Sequence, residues 1–277
     1  VSMWIVMYSL LFIGFLLDDS INPKRIFYLI GFFVTLAFLS KSSEGFMFLP
    51  GLIICALISE KRKEVFKNSH LYYASFITLI ICGSYYALRE SLSEGYLKMV
   101  WDSEIMRFTK DIAGQHQHSF FWFVDRFSQE SFLPYIYILP VAIFAGIINK
   151  NRKIRLLTLF IVISCLSYLF LISYPPDKLF WYDAPLYPFF AILIGILFFT
   201  IYESLKERAH KFKFFPAVIV FSFAFFFSCK PFLNIFVKLD DDLSEKYYYE
   251  DYDARCKKRI HDEKDYLFNN KIYNIFQ

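Results

Sequence analysis

Charge is scarce in this sequence: Asp, Glu, Lys and Arg together make up 20% of its 277 residues, against 57% hydrophobic and 22% aromatic. That imbalance, with a mean hydropathy of +0.40, excludes a disordered chain, a fibrous repeat and an ordinary soluble enzyme, because a single soluble core cannot hide so much apolar surface. Cysteine is also sparse. Of five, Cys55, Cys82, Cys165 and Cys229 lie inside apolar blocks and only Cys256 lies in a polar stretch. No C-x-x-C spacing occurs, so neither a redox framework nor a cysteine metal site is indicated, and the thiols read as small apolar residues in lipid. Internal repeats, low-complexity linkers and a basic secretory leader are absent too. The sequence runs from Val1 straight into apolar residues, which suggests a fragment, a start at Met3 or a non-standard start codon.

What the sequence does have is apolar residues gathered into blocks, with short charged clusters between them. Eight blocks read as membrane segments: about residues 1 to 17, 26 to 40, 45 to 59, 71 to 88, 132 to 149, 156 to 173, 183 to 201 and 214 to 236. The second and third are short, about 22 Å at 1.5 Å per residue, and suggest a tightly turned hairpin or broken helices. The expected fold is therefore all-α, a polytopic transmembrane bundle of about eight spans. A membrane domain is expected over 1–237, with a long loop at 89–131 and a polar tail at 238–277.

Charge placement gives the sidedness. Lys24 and Arg25; Lys61, Arg62, Lys63 and Lys67; Lys150, Arg152, Lys153 and Arg155; and Lys206, Arg208, Lys211 and Lys213 occupy alternate connections. The opposite short loops hold only Lys41 and Lys178. This asymmetry places the basic set in the cytoplasm and the 41–45 turn, the 89–131 loop, the 174–182 link and the tail outside. The net charge of +4 thus says less than its distribution. The spans are almost free of charge, which argues for binding or chemistry at an interface instead of a path through the middle.

Candidate functional residues cluster on that external side. From Leu97 to Phe108 the apolar positions 97, 100, 101, 105 and 108 recur at helical spacing, as in a helix lying in the interface. Glu104 and Arg107 then share a face, either as a modest surface ion pair or as an anion-binding Arg107 oriented by Glu104. His116 and His118 precede the aromatic run Phe120 to Phe123. They suit hydrogen bonding or anion binding, and a divalent metal is left open, although the loop offers no further His or Cys. Lys41 and Lys178 could snorkel to the interface, or converge with Arg107 on one phosphate.

Taken in order, Lys41-Ser-Ser-Glu-Gly-Phe-Met-Phe-Leu-Pro50, then Glu104-Ile-Met-Arg107-Phe108 with His116-x-x-Ser-Phe120, then Lys178-Leu-x-x-Tyr182-x-x-Pro185-Leu-Tyr-Pro188 resemble the later portion of GT-C membrane glycosyltransferases. The nearest pattern is the group that contains the bacterial aminoarabinose transferase of lipid A and the protein O-mannosyltransferases. Ser42 and Ser43 stand where Gly and Pro are usual, and Ser119 where Pro is usual. The agreement runs over roughly residues 26 to 200.

The resemblance implies transfer of a sugar from a polyprenyl-phosphate carrier to a lipid or protein acceptor, on the external face of a bacterial-type inner membrane. Lys41, Arg107, Lys178, Tyr182 and His116 would hold the lipid phosphate as it gains charge, with Glu104 in support. It also implies a chain that starts several spans late, without the acidic residue of the first external loop that serves as general base. Asp102, Glu104, Asp111, Asp125 and Asp177 do not match that motif. Two other classes stay open: a non-catalytic protein that binds or translocates the lipid carrier, and a structural membrane subunit.

Overall fold

Three asparagines set where three of the four long helices begin. Asn22, Asn68 and Asn151 each accept a hydrogen bond from the backbone N–H two residues on, at 2.9 to 3.0 Å, and each thereby satisfies a donor that the first helical turn leaves orphaned. They open α2 (Pro23–Lys41), α5 (Ser69–Leu92) and α9 (Arg152–Ser173). Pro23 sits in the first turn of α2, where its fixed φ suits the helix and its missing N–H costs nothing.

The computed structural model describes residues 1–102, 106, 118–128, 132, 135–176, 178–208 and 222. The other helices are α1 (Ser2–Leu17), α3 (Leu49–Ile58), α4 (Arg62–Phe66), α6 (Tyr96–Val100), α7 (Trp122–Arg126), α8 (Leu139–Ile147) and α10 (Leu186–Arg208). Short 3₁₀ turns cover Ser42–Phe46, Tyr135–Tyr137 and Phe180–Asp183. No strand occurs among the described residues, and the chain is all-α. It divides into Val1–Leu205 and Lys206–Gln277. The expected boundary at 237 and the expected segment at 214–236 lie outside the described residues.

Of the eight expected spans, four are confirmed by length and hydropathy among the described residues. Four helical stretches are long and apolar enough to cross a membrane: Pro23–Phe46, Ser69–Leu92, Arg152–Ser173 and Leu186–Lys206. Ser2–Leu17, Leu49–Ile58 and Tyr135–Ile147 are apolar but shorter, and at 1.5 Å per residue each falls short of a hydrocarbon core about 30 Å thick. The second block is also longer than its apolar run suggested, because the Asn22 cap starts the helix before it and the 3₁₀ turn prolongs it.

α1 packs on α2, α2 on α5, α3 on α9 and α8 on α9. Phe48 is fully buried between Tyr168 and Phe189, with ring centroids 4.5 and 5.1 Å away, so α3, α9 and α10 share one aromatic core. Between α2 and α5, Thr35 donates to Thr78 and both threonine hydroxyls bond the Gly31 carbonyl. In lipid such bonds matter, since no water is present to satisfy the hydroxyls.

The alternation read from the charges is visible in the contacts. Lys61 donates to the carbonyls of Phe15 and Asp18 at 2.8 and 2.7 Å and pairs with Asp19 at 2.9 Å. Arg152 pairs with Glu60, and Asn149 donates to Thr200 at 3.0 Å. The connections after α1, α3 and α8 therefore meet at one end of the bundle. The turn after α2, α6 and the link after α9 meet at the other.

The α3–α9 crossing yields a prediction. A Cβ at Gly51 would lie 2.7 Å from Ser164 Cα, backbone that cannot step aside, whereas one at Gly83 would meet nothing. Gly51→Leu should lower stability by about 1–3 kcal/mol and depress the thermal midpoint in detergent, while Gly83→Ala should leave it unchanged or raise it.

Candidate functional site

Where α2 ends, the chain must turn sharply to enter α3. Ser42 adopts φ +53°, a region that disfavours any residue with a Cβ and suits glycine. This gives a physical reason for the Gly usual at this position in the resemblance. The Ser42 hydroxyl hydrogen-bonds that of Tyr86 on α5, which anchors the turn across helices. Gly45 closes it: a Cβ there would lie 2.6 Å from the Phe38 nitrogen, and its carbonyl accepts from the Tyr8 hydroxyl at 3.0 Å.

The turn presents Lys41 and Glu44 to a cavity of about 350 Å³, whose walls include Phe38, Tyr85, Tyr96 and Tyr182. Lys41 Nζ lies 2.7 Å from Glu44 Oε2, 5.0 Å from the centroid of the Tyr182 ring and 5.8 Å from that of Trp181. The Lys41 side chain keeps 38% of its exposure and that of Glu44 keeps 18%. An ammonium in this setting is held by one carboxylate and two ring faces while remaining open to the cavity. Tyr182 is fixed through its backbone, its carbonyl accepting from the Tyr168 hydroxyl at 2.7 Å.

Lys178 is placed differently. It is 2% exposed, and its ammonium donates to the carbonyls of Pro175 at 2.6 Å and His118 at 3.1 Å. It is not among the residues that line the cavity. Burial lowers its pKa, as expected for a cation removed from water. His118 N–H donates to the Pro176 carbonyl at 3.2 Å, so the segment beginning at 118 is strapped to the 174–178 link from both sides.

A second tie lies beside it. Asp183 is 2% exposed, pairs with Arg126 at 3.3 Å and accepts from the Tyr187 hydroxyl at 2.8 Å. Burial raises the Asp183 pKa, against the Tyr187 hydrogen bond and the Arg126 charge, which both lower it. The guanidinium lies 5.5 Å from the centre of the Trp122 ring, and that ring stacks on His118 at 4.2 Å.

The structure thus brings Lys41 and Tyr182 together at one cavity and sets Lys178 into the strap. Glu104, Arg107 and His116 lie outside the described residues. Among those described, no group of three His, Cys, Asp or Glu converges as a metal site. Sequence reasoning missed Glu44, Arg126 and Asp183. Asp183 stands as a lone charge in an aromatic run, and that isolation was the available signal; Arg126 directly follows Asp125 and Glu44 lies three residues after Lys41, so neither is set apart in this way.

Two tests follow from these ties. Ser42→Gly should preserve or raise stability, whereas Ser42→Val should lower it by about 1–3 kcal/mol, read from thermal unfolding in detergent. Arg126→Met should cost about 3–5 kcal/mol because it strands the buried Asp183 carboxylate. Adding Asp183→Asn should recover most of that loss.

Residues 1–86, from α1 through most of α5 and including Lys41, Ser42, Glu44 and Tyr85, match the family model described as dolichyl-phosphate-mannose-protein mannosyltransferase. Comparison with curated proteins and with solved structures gives no match. An all-α architecture with four helices of spanning length accords with a membrane transferase. Over its first 86 residues the chain is similar to the dolichyl-phosphate-mannose-protein mannosyltransferase family, and this likeness supports a glycosyltransferase of GT-C type.

Proposed function

We propose that this protein transfers a sugar from a polyprenyl-phosphate carrier to a lipid or protein acceptor on the external face of a bacterial-type inner membrane. The observation that carries the reading is Lys41, an ammonium open to a cavity at the end of the bundle away from the basic connections, inside the stretch that matches the family. In the transfer, the acceptor hydroxyl oxygen bonds to the sugar's anomeric carbon while its proton passes to a general base, the role that the resemblance gives to an acidic residue of the first external loop. The bond from that carbon to the phosphate oxygen breaks, and its electron pair stays on the lipid phosphate. The added negative charge is stabilised by a cation already in place in a poorly hydrated site.

Lys41 supplies that cation and Tyr182 a hydroxyl at the same cavity. Arg107 and His116 are assigned to the same phosphate by the resemblance, Arg107 as a planar fork of donors. Lys178 serves the site indirectly, by holding the link that carries Tyr182.

A second, apolar cavity of about 380 Å³ lies among α2, α3 and α5, with Phe46 in its wall. Phe46 stacks on Phe38 at 5.2 Å, and Phe38 lines the Lys41 cavity. The two spaces are thus separated by a pair of rings, an arrangement suited to a ligand with a charged head and a polyprenyl tail.

In membranes carrying the full-length protein, Lys41→Met should reduce sugar transfer from a labelled dolichyl-phosphate donor about 100-fold or more, with insertion and expression unchanged. Near-normal transfer would overturn the assignment of Lys41. Carrier binding with no glycosyl product from the wild type would favour the non-catalytic carrier protein instead.

A further inference from the structure

The Lys41 cavity contains a group that a phosphate site alone does not call for. Glu44 is the one carboxylate among the described residues lining it, and it sits 2.7 Å from Lys41 Nζ. Beside a bare lipid phosphate this carboxylate only adds a second negative charge to a small, partly buried space, where repulsion between anions is weakly screened. Beside a phosphate that carries a sugar it has a use. Sugar hydroxyls donate hydrogen bonds, and a carboxylate can accept two of them at once, each stronger than a bond between neutral groups.

The remaining lining fits the same ligand. Ser43, Tyr85 and Tyr96 bring hydroxyls, and the tyrosine rings and Phe38 offer flat apolar faces against which the C–H face of a sugar can pack. The volume of about 350 Å³ is at the small end for ligand pockets, suited to one sugar residue with its phosphate and not to an oligosaccharide.

We propose that Glu44 is the specificity-determining residue of this cavity: it reads the hydroxyls of the donor sugar, while Lys41 meets the phosphate. This rests on the donor-binding reading above, and the two can fail separately. It also accounts for the turn geometry, because the Ser42 reversal puts a cation and an anion three positions apart onto one small cavity.

The test is equilibrium binding to the full-length protein in detergent or nanodiscs, with three probes: dolichyl phosphate, dolichyl-phosphate-mannose and dolichyl-phosphate-glucose. The wild type should bind at least one sugar-bearing carrier more tightly than the bare phosphate. Glu44→Gln should weaken binding of that carrier about tenfold, the scale of one charge-assisted hydrogen bond, and should bind bare dolichyl phosphate as tightly as the wild type or more so. The two probes thus shift in opposite directions, or one shifts alone, which a loss of folding cannot produce. Glu44→Asp, which keeps the charge, should restore part of the preference for the sugar.

Equal weakening of all probes by Glu44→Gln, an unchanged preference, or no preference in the wild type would each overturn the proposal. Lys41→Met should weaken all three probes together. If it leaves them unaffected, the phosphate reading falls, while the ratio between probes in Glu44→Gln still decides the role of Glu44.

Discussion

The arrangement at the site depends on one tight reversal. α2 does not run straight into α3: the chain turns within Ser42–Phe46, so that α2 packs on α1 and α5 while α3 packs on α9. The turn is held by the absence of a Cβ at Gly45, which lets it rest on the backbone of α2, and by the Tyr8 hydroxyl on the Gly45 carbonyl. A buried carbonyl left without a partner is costly, so the Tyr8 bond to the buried Gly45 is structural. The Ser42 backbone is strained in consequence, and its hydroxyl bond to Tyr86 ties that strain to α5. Lys41 and Glu44 face a common cavity because of this geometry, and the cavity takes its other walls from α5, α6, α9 and the link before α10.

Much of the fold could be read from residues alone. The apolar blocks mark the helices, and the uneven loop charges predict the grouping of connections that the Lys61 and Arg152 ion pairs display. What could not be read was helix length near the turns. A 3₁₀ extension and a cap each change a span by several residues without altering its hydropathy.

The site was legible in part. Lys41 and Tyr182, both singled out from the sequence, lie at one cavity. Lys178 looked the same in sequence, a single lysine in an aromatic link, yet its ammonium is spent on two carbonyls. The Pro175 carbonyl lies just past the end of α9, and the His118 carbonyl is sixty residues away in sequence. The Arg126 and Asp183 pair is similarly remote. Spacing shows which residues share a helix face, but not which backbone groups will be orphaned by a loop or which distant side chain will meet them. The straps that result make the link and the segment from 118 to 127 one unit, and they hold Trp181 and Tyr182 over Lys41.

The central claim is that the Lys41 cavity receives the head of the lipid-linked sugar. It is tested most directly by photocrosslinking with a dolichyl-phosphate sugar whose head carries the reactive group, followed by mapping of the labelled peptides by mass spectrometry. The account predicts labels on the 40–47 turn and around Tyr85, Tyr96 and Tyr182, competed away by unlabelled donor. Labels confined to the basic connections or to the apolar cavity among α2, α3 and α5, with the turn unmarked, would contradict it.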